Sequence, residues 1–298
     1  MSPAAVGTAA RPATLAAGAR AAGWPRRLRW TLLLPAVPVG LALLAAVLAP
    51  WVAPRSPTAA DLRARLRPPV WQAGGSVERL LGSDLLGRDV LSRLIWGARI
   101  SLLIALAATV LGAAAGSVIG LVAGYFRGRL DGVVTKAIDV QLAFPFVLMA
   151  IAVIAVAGPS LPVLVAVLAI GSWVGHARIV RGVVMSLRER DFIIAAYASG
   201  VRNWRIIWRH LIPNVMGPVI VLASLGVGGI IILEAALSFL GLGVRPPTPS
   251  WGAILADGRA YILRYPHIAF FPGLMIVITV LAFNFVGDGL RDALDPKE

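Results

Sequence analysis

Long apolar runs dominate this chain, and they decide what it can fold into. Crossing about 30 Å of hydrocarbon as a helix takes roughly 20 apolar residues. Six runs approach or exceed that length: Thr31–Val52, Ile100–Gly124, Val140–Ala157, Leu161–Val180, Val215–Leu240 and Ile268–Val286. The third is short and is expected to begin nearer Val133, with Lys136 and Asp139 at the membrane surface. Charged residues make up 14% of the 298 residues and hydrophobic ones 58%, against roughly 25% charged in soluble domains. A water-soluble fold could not hide this much apolar surface, whereas a bilayer acts as its solvent. The expectation is an all-α polytopic membrane protein with six transmembrane helices.

Charge placement bears on orientation and on partners. The net charge is +14, but the basic residues lie between apolar runs, as in membrane-protein loops. They do not gather on a soluble face, so nucleic acid is not an expected partner. With the N-terminus inside, 17 of the 28 Lys and Arg residues fall on inside segments and 11 on outside ones. This bias favours both termini being cytoplasmic. The expected organisation is a disordered tail over 1–30, a first span with a long outer segment over 31–99, a core over 100–290 and a tail over 291–298. The apolar run after Arg26, Arg27 and Arg29 exceeds the core of a signal peptide, so an uncleaved first span is expected. Gly158-Pro159-Ser160 reads as the turn between the third and fourth spans.

Within the spans, Gly112, Gly116, Gly120 and Gly124 repeat every four residues. That places them on one helical face, where small residues let two backbones approach. They read as a packing seam, with the neighbour in this chain or another. Glu234 lies inside the fifth run. Such a group is costly in a membrane and faces a cavity or a partner. It reads equally as a pathway residue or as a hydrogen bond to a neighbouring helix. Trp96 and Trp251 read as interfacial anchors.

The stretch Asp191–Asn214, DFIIAAYASGVRNWRIIWRHLIPN, is too polar to span. Asp191 and the Ala195-Ala196 pair suit a short helix, and Gly200 suits its C-terminal cap. Asn203 suits the cap of a second helix, Trp204 to Leu211, ended by Pro213. Arg202, Arg205 and Arg209 make the stretch basic. The stretch resembles the EAA signature of ABC-importer permeases at Ala195, Ala196, Gly200 and Pro213. It departs from that signature at Ile194, where the family has Glu, and at His210 and Ile212. The wording Arg209-His210-Leu211-Ile212-Pro213-Asn214 is similar to that of the dipeptide and oligopeptide branch. So are LGSDLLGRDVLSRLIWGARISL (Leu81 to Leu102), LEAALSFLGLGVRPPTPSWG (Leu233 to Gly252) and FPGLMIVITVLAFNFVGDGLRDALDP (Phe271 to Pro296).

The resemblance implies a type I ABC-importer permease fold, of the second or C-type subunit, in the bacterial plasma membrane. It implies pairing with a homologous permease, two ABC ATPase subunits and an extracytoplasmic substrate-binding protein, all in contact with membrane lipid. ATP would be bound by the partners, with no cofactor or metal in this chain. The coupling residues it implies are Asp191, Ala195, Ala196, Gly200, Arg202, Trp204, Arg205, Arg209 and Pro213, with Phe192 and Ile193 adding apolar contact. The solute implied is a di- or oligopeptide, with nickel, glutathione or another small solute as the alternative. The chain's only lysines, Lys136 and Lys297, do not follow glycine. A Gly-Lys-Ser/Thr phosphate loop is therefore missing, and ATP hydrolysis is expected elsewhere. Two remoter readings remain: a self-sufficient secondary transporter, and a serine protease using Ser117 or Ser172 with His176. Replacing Gly200 by a bulky residue is expected to leave assembly intact while uptake falls relative to ATP hydrolysis in reconstituted vesicles. Normal uptake would count against a lever at Gly200.

Overall fold

The computed structural model describes residues 26–294, with the backbone alone for 26–32. The tail read as disordered lies outside the described residues up to position 25. Among the described residues the structure is helical, with isolated bridges Ser76–Arg79 and Ser83–Asp89 in place of strands. The helices are α1 (Arg26–Val52), α2 (Val90–Phe126), α3 (Gly128–Ala143), α4 (Phe146–Ala157) and α5 (Leu161–Leu187). They continue as α6 (Asp191–Ala198), α7 (Asn203–Ile206), α8 (Ile212–Phe239), α9 (Trp251–Gly258) and α10 (His267–Leu294). Five continuous helical runs are long and apolar enough to cross a membrane, and α3 with α4 makes a sixth if counted together.

Several boundaries differ from the sequence reading for local reasons. Helix α1 starts at Arg26, inside the expected tail, and α10 continues to Leu294, past the expected end of the core. Residues 295–298 lie outside the described ones. Helix α2 begins at Val90 because Asp89 caps it, accepting the Ser92 N–H at 2.8 Å. The third span is not straight: α3 and α4 meet at 88°. Phe144 sits in an extended conformation ahead of Pro145, as the proline ring disfavours the helical region for the residue before it. The turn before α5 is present, with Gly158 at φ +81° and Ser160 capping the helix.

The bundle is organised by α2 against α5. The four glycines of α2 face α5 of the same chain. A Cβ on Gly112 would meet the Ser172 Oγ, one on Gly116 the Trp173 carbonyl oxygen, and one on Gly120 the Ala177 carbonyl oxygen. One on Gly124 would lie 2.8 Å from the Arg181 carbonyl oxygen. The α2 backbone thus lies directly against α5, whose carbonyl oxygens and the side chains of Ser172, His176 and Val184 fill the seam. Around this pair the core forms two clusters. The larger, at the α9 end, joins Leu94 and Leu102 of α2 to Leu164 and Leu168 of α5, Ile231 and Leu237 of α8, and Trp251 and Ile254 of α9. The smaller, at the α6 end, joins Tyr125, Val180 and Val184 to Ile193, Ile206, Leu211 and Val215.

The segment between α1 and α2 is fixed by charge rather than by secondary structure. Asp84 is fully buried and accepts from the Leu86 and Arg88 N–H groups, both at 2.9 Å. It also accepts from Arg88 Nε at 2.6 Å and from Arg93. The same two arginines reach Asp257 of α9, at 3.1 and 2.9 Å. Buried charges persist where they are paired, and here two guanidinium groups share two carboxylates, with the Nε of Arg93 left without a partner. This ties the outer segment and α9 to the start of α2.

The glycine seam gives a stability prediction. Gly116→Ala puts a methyl into the Trp173 carbonyl and is expected to cost about 1–3 kcal/mol, as for other overpacked sites. Gly182→Ala, with nothing within 4 Å of its Cβ, is expected to be neutral or stabilising by up to about 1 kcal/mol. Melting temperatures of the purified variants in detergent would check the contrast.

Candidate functional site: the polar segment Asp191–Asn214 and the buried Glu234

Helix α6 opens at Asp191 and ends in a Schellman arrangement. The Val201 N–H donates to the Ala196 carbonyl at 3.1 Å and the Gly200 N–H to the Tyr197 carbonyl at 2.9 Å. Gly200 holds φ +74°, a left-handed conformation that glycine adopts without a Cβ penalty. Its Cβ position meets nothing within 4 Å, so a substitution there strains the backbone, by roughly 1–2 kcal/mol, without a clash. This turn carries the chain from α6 to α7.

The second helix departs from the sequence reading. Asn203 is the first helical residue of α7, and Arg202 takes the cap position with no side-chain bond. The helix does not stop at Pro213. It passes through a π-turn, Ile207–Leu211, into α8, with the Ile212 N–H donating to the Ile207 carbonyl. Pro213 has no N–H, and in a regular α-helix its ring would clash with the carbonyl four residues back, that of Arg209. The wider turn relieves that clash, so Pro213 enters the first turn of α8, where proline is tolerated. The polar segment is thus the continuous base of a span.

Exposure sorts the residues of the segment. Ile193 and Ile206 are fully buried against the ends of α2, α5 and α8. Ile193 therefore does not face outward as expected. Asp191, Ala195, Arg202, Arg205, Arg209 and Pro213 are exposed, and Ala196 is half-buried. The exposed large apolar groups are Phe192, Ile194, Tyr197, Trp204 and Trp208, with Trp208 at 66%. Arg205 lies over the Trp204 ring at 5.6 Å. The segment therefore exposes three arginines and five large apolar side chains, a composition suited to a partner with apolar pockets and acidic residues. The sequence reading missed Trp208. It sits four residues after Trp204, the spacing that puts two side chains on one helical face.

Glu234 lies at the far end of α8 and is fully buried. Its Oε1 accepts from the hydroxyls of Ser238 and Ser250, both at 2.8 Å, and its Oε2 from Ser101 at 3.2 Å. Ser250 is also the N-cap of α9, so the Glu234 carboxyl group is tied to the start of that helix. Ser101 accepts in turn from the Trp251 N–H at 3.1 Å. Of the two readings of Glu234, this geometry realises the hydrogen bond to neighbouring helices, joining α2, α8 and α9. Trp251 is not an interfacial anchor: it is fully buried, and its Nε1 donates to the Leu94 carbonyl at 3.0 Å. Trp96 is half-buried, with Arg99 5.6 Å from its ring.

The protease reading fails on geometry. His176 Nδ1 lies 3.1 Å from the Ser172 carbonyl, while the Ser172 hydroxyl donates to the Ala169 carbonyl at 3.2 Å. The Ser117 hydroxyl has no partner. No nucleophile–base pair is formed by these residues.

Residues 116–298 match the family described as binding-protein-dependent transport system inner membrane component. The chain is 45% identical to a di/tripeptide transport system permease protein, DppC, of Pseudomonas aeruginosa, over 86% of this chain and 85% of that protein. It is 43% identical to the dipeptide transport system permease protein DppC of Escherichia coli K12, over 87% and 86%. It is 47% identical to a glutathione transport system permease protein, GsiD, of Escherichia coli O6:K15:H31, over 75% and 74%. The fold matches a chain of the inward-facing MetNI methionine ABC transporter with a TM-score of 0.55, at 19% identity, over 68% of this chain and 96% of that one. This chain belongs to the family of inner membrane permease components of binding-protein-dependent transport systems. It is therefore a multi-pass inner membrane protein and a transporter component, which excludes the secondary-transporter reading.

The Glu234 site yields a graded prediction. Glu234→Leu leaves three serine hydroxyls without their acceptor and is expected to destabilise the protein by about 3 kcal/mol. Glu234→Gln retains one acceptor oxygen and is expected to cost about half as much. Thermal unfolding of the two purified variants would check the order.

Proposed function

We propose that this chain is the C-type permease subunit of an ATP-driven importer of di- or oligopeptides. The observation that carries the proposal is the exposed surface of α6 and α7, where Phe192, Ile194, Trp204 and Trp208 lie among Arg202, Arg205 and Arg209. On this reading the surface docks on one of two separate ABC ATPase subunits, and Asp191, Ala195, Ala196, Gly200, Trp204 and Pro213 complete the coupling segment. Exposed ion pairs contribute only about 0–1 kcal/mol each, so the apolar groups hold most of the contact. Ile194 stands where the family signature has Glu, and docking here rests on shape, apolar area and the arginines.

The same reading places both termini and the α6 end in the cytoplasm. The excess of Lys and Arg on the corresponding segments supports it. A homologous second permease completes the translocation path, and an extracytoplasmic binding protein delivers solute to the α9 end. The chain has no Gly-Lys-Ser/Thr loop, which supports an ATPase site in the partners and none here. The peptide assignment is supported by relatives named for dipeptides, which match more of the chain than the glutathione relative does. Glutathione is itself a modified tripeptide, so the two solutes share terminal amine and carboxylate chemistry.

Affinity purification of a tagged copy, followed by reconstitution, tests the proposal. The expected result is recovery with a second permease and an ATPase, and ATP-dependent uptake of labelled dipeptide in the presence of the binding protein. Recovery of the chain alone, or uptake driven by a proton gradient without ATPase, would overturn it.

A further inference from the structure

Tyr125 follows the last glycine of the α2 seam, and only 3% of it is exposed. Arg188, directly after α5, donates from Nη1 to the Tyr125 carbonyl. The same guanidinium lies 5.3 Å from the centre of the Tyr125 ring. The ring of Tyr197 on α6 stacks on that of Tyr125, with centroids 6.4 Å apart and planes 20° from parallel. The buried Tyr125 hydroxyl has no hydrogen-bond partner, so the ring and the carbonyl make the contacts.

Tyr197 lies at the edge of the surface that α6 offers to a partner and is 37% exposed. It comes four residues after the fully buried Ile193, and its ring reaches inward to that of Tyr125. Phe192, Ile194 and Ala195 lie on the outward side. Helix α6 is joined to the spans along the chain at both ends, to α5 through Arg188–Arg190 and to α8 through Gly200, α7 and the π-turn. A side-chain connection crosses from Tyr197 to Tyr125, at the end of α2, where Arg188 also holds the Tyr125 carbonyl. Helices α2 and α5 lie directly against each other along the glycines, so a displacement received at Tyr125 is carried by both.

We propose that Tyr125 is a positioning residue that passes displacement of α6 to the α2–α5 pair, with Tyr197 as the input and Arg188 as the clasp. This rests on the ATPase-driven reading above. It adds to the two chain connections of α6 a side-chain line of transmission that reaches α2.

The test uses the complete transporter, with its ATPases and binding protein, in vesicles, scoring ATP hydrolysis and dipeptide uptake per complex. In complexes that retain the ATPase, Tyr197→Ala is expected to keep hydrolysis within about twofold while uptake falls by about tenfold. Tyr197→Phe and Tyr125→Phe keep both rings and are expected to keep uptake within about twofold. A purely structural role would lower hydrolysis, uptake and complex yield together, and that pattern would overturn the proposal. Unchanged uptake in Tyr197→Ala would also overturn it. So would a Tyr125→Phe defect as large as that of Tyr197→Ala, since the hydroxyl would then be the working group. Failure of the parent reading is distinguishable, because the unmodified complex would then show no ATP-dependent uptake.

Discussion

The direct contact of two backbones along Gly112, Gly116, Gly120 and Gly124 governs the rest of the bundle. In lipid, apolar side chains gain nothing by leaving one hydrocarbon surface for another, so close packing and polar contacts must supply the association. Glycine removes the spacer between α2 and α5 and brings peptide groups into dispersion range. Helices α8 and α10 and the outer segment are arranged around this pair, and both core clusters include residues from each member of it.

Polar interactions then fix what apolar contact alone would leave free. At one end, Glu234 with its three serines and the Asp84–Arg88–Arg93–Asp257 network seat α9 and the outer segment. At the other, Arg188 holds Tyr125, and Arg181 is paired with Asp131 of α3. Where such a pair is buried, as at Asp84 and Arg93, desolvation offsets much of its attraction. What these contacts supply here is connection between elements that are far apart in sequence.

Much of this was legible from the residues. The apolar runs located the five continuous spans and the apolar arm of the bent α3–α4 pair, because hydrocarbon thickness sets a length that composition alone reveals. The four-residue glycine repeat located a seam but not its partner, since spacing on one helix says nothing about what lies opposite. The kink at Phe144-Pro145 was hidden by hydropathy, which counts apolar residues without regard to direction. The role of Trp251 was misread because a tryptophan near a span end is equally suited to the interface and to the core. Only the Leu94 carbonyl, far away in sequence, decides between them. Pro213 was read as a stop because the rule for proline assumes an α-helix, and a π-turn was not considered.

That π-turn has a geometric consequence of its own. An α-helix advances by about 100° per residue, and a π-turn accommodates roughly one residue more than the α-helix would. Ile207–Leu211 therefore offsets the angular phase of α7 from that of α8 by about one residue step. The side chains that α7 presents at the base of the bundle are clocked independently of the face that α8 packs against its neighbours. One surface can thus keep its aim while the other keeps its fit, although both are carried on a single unbroken rod.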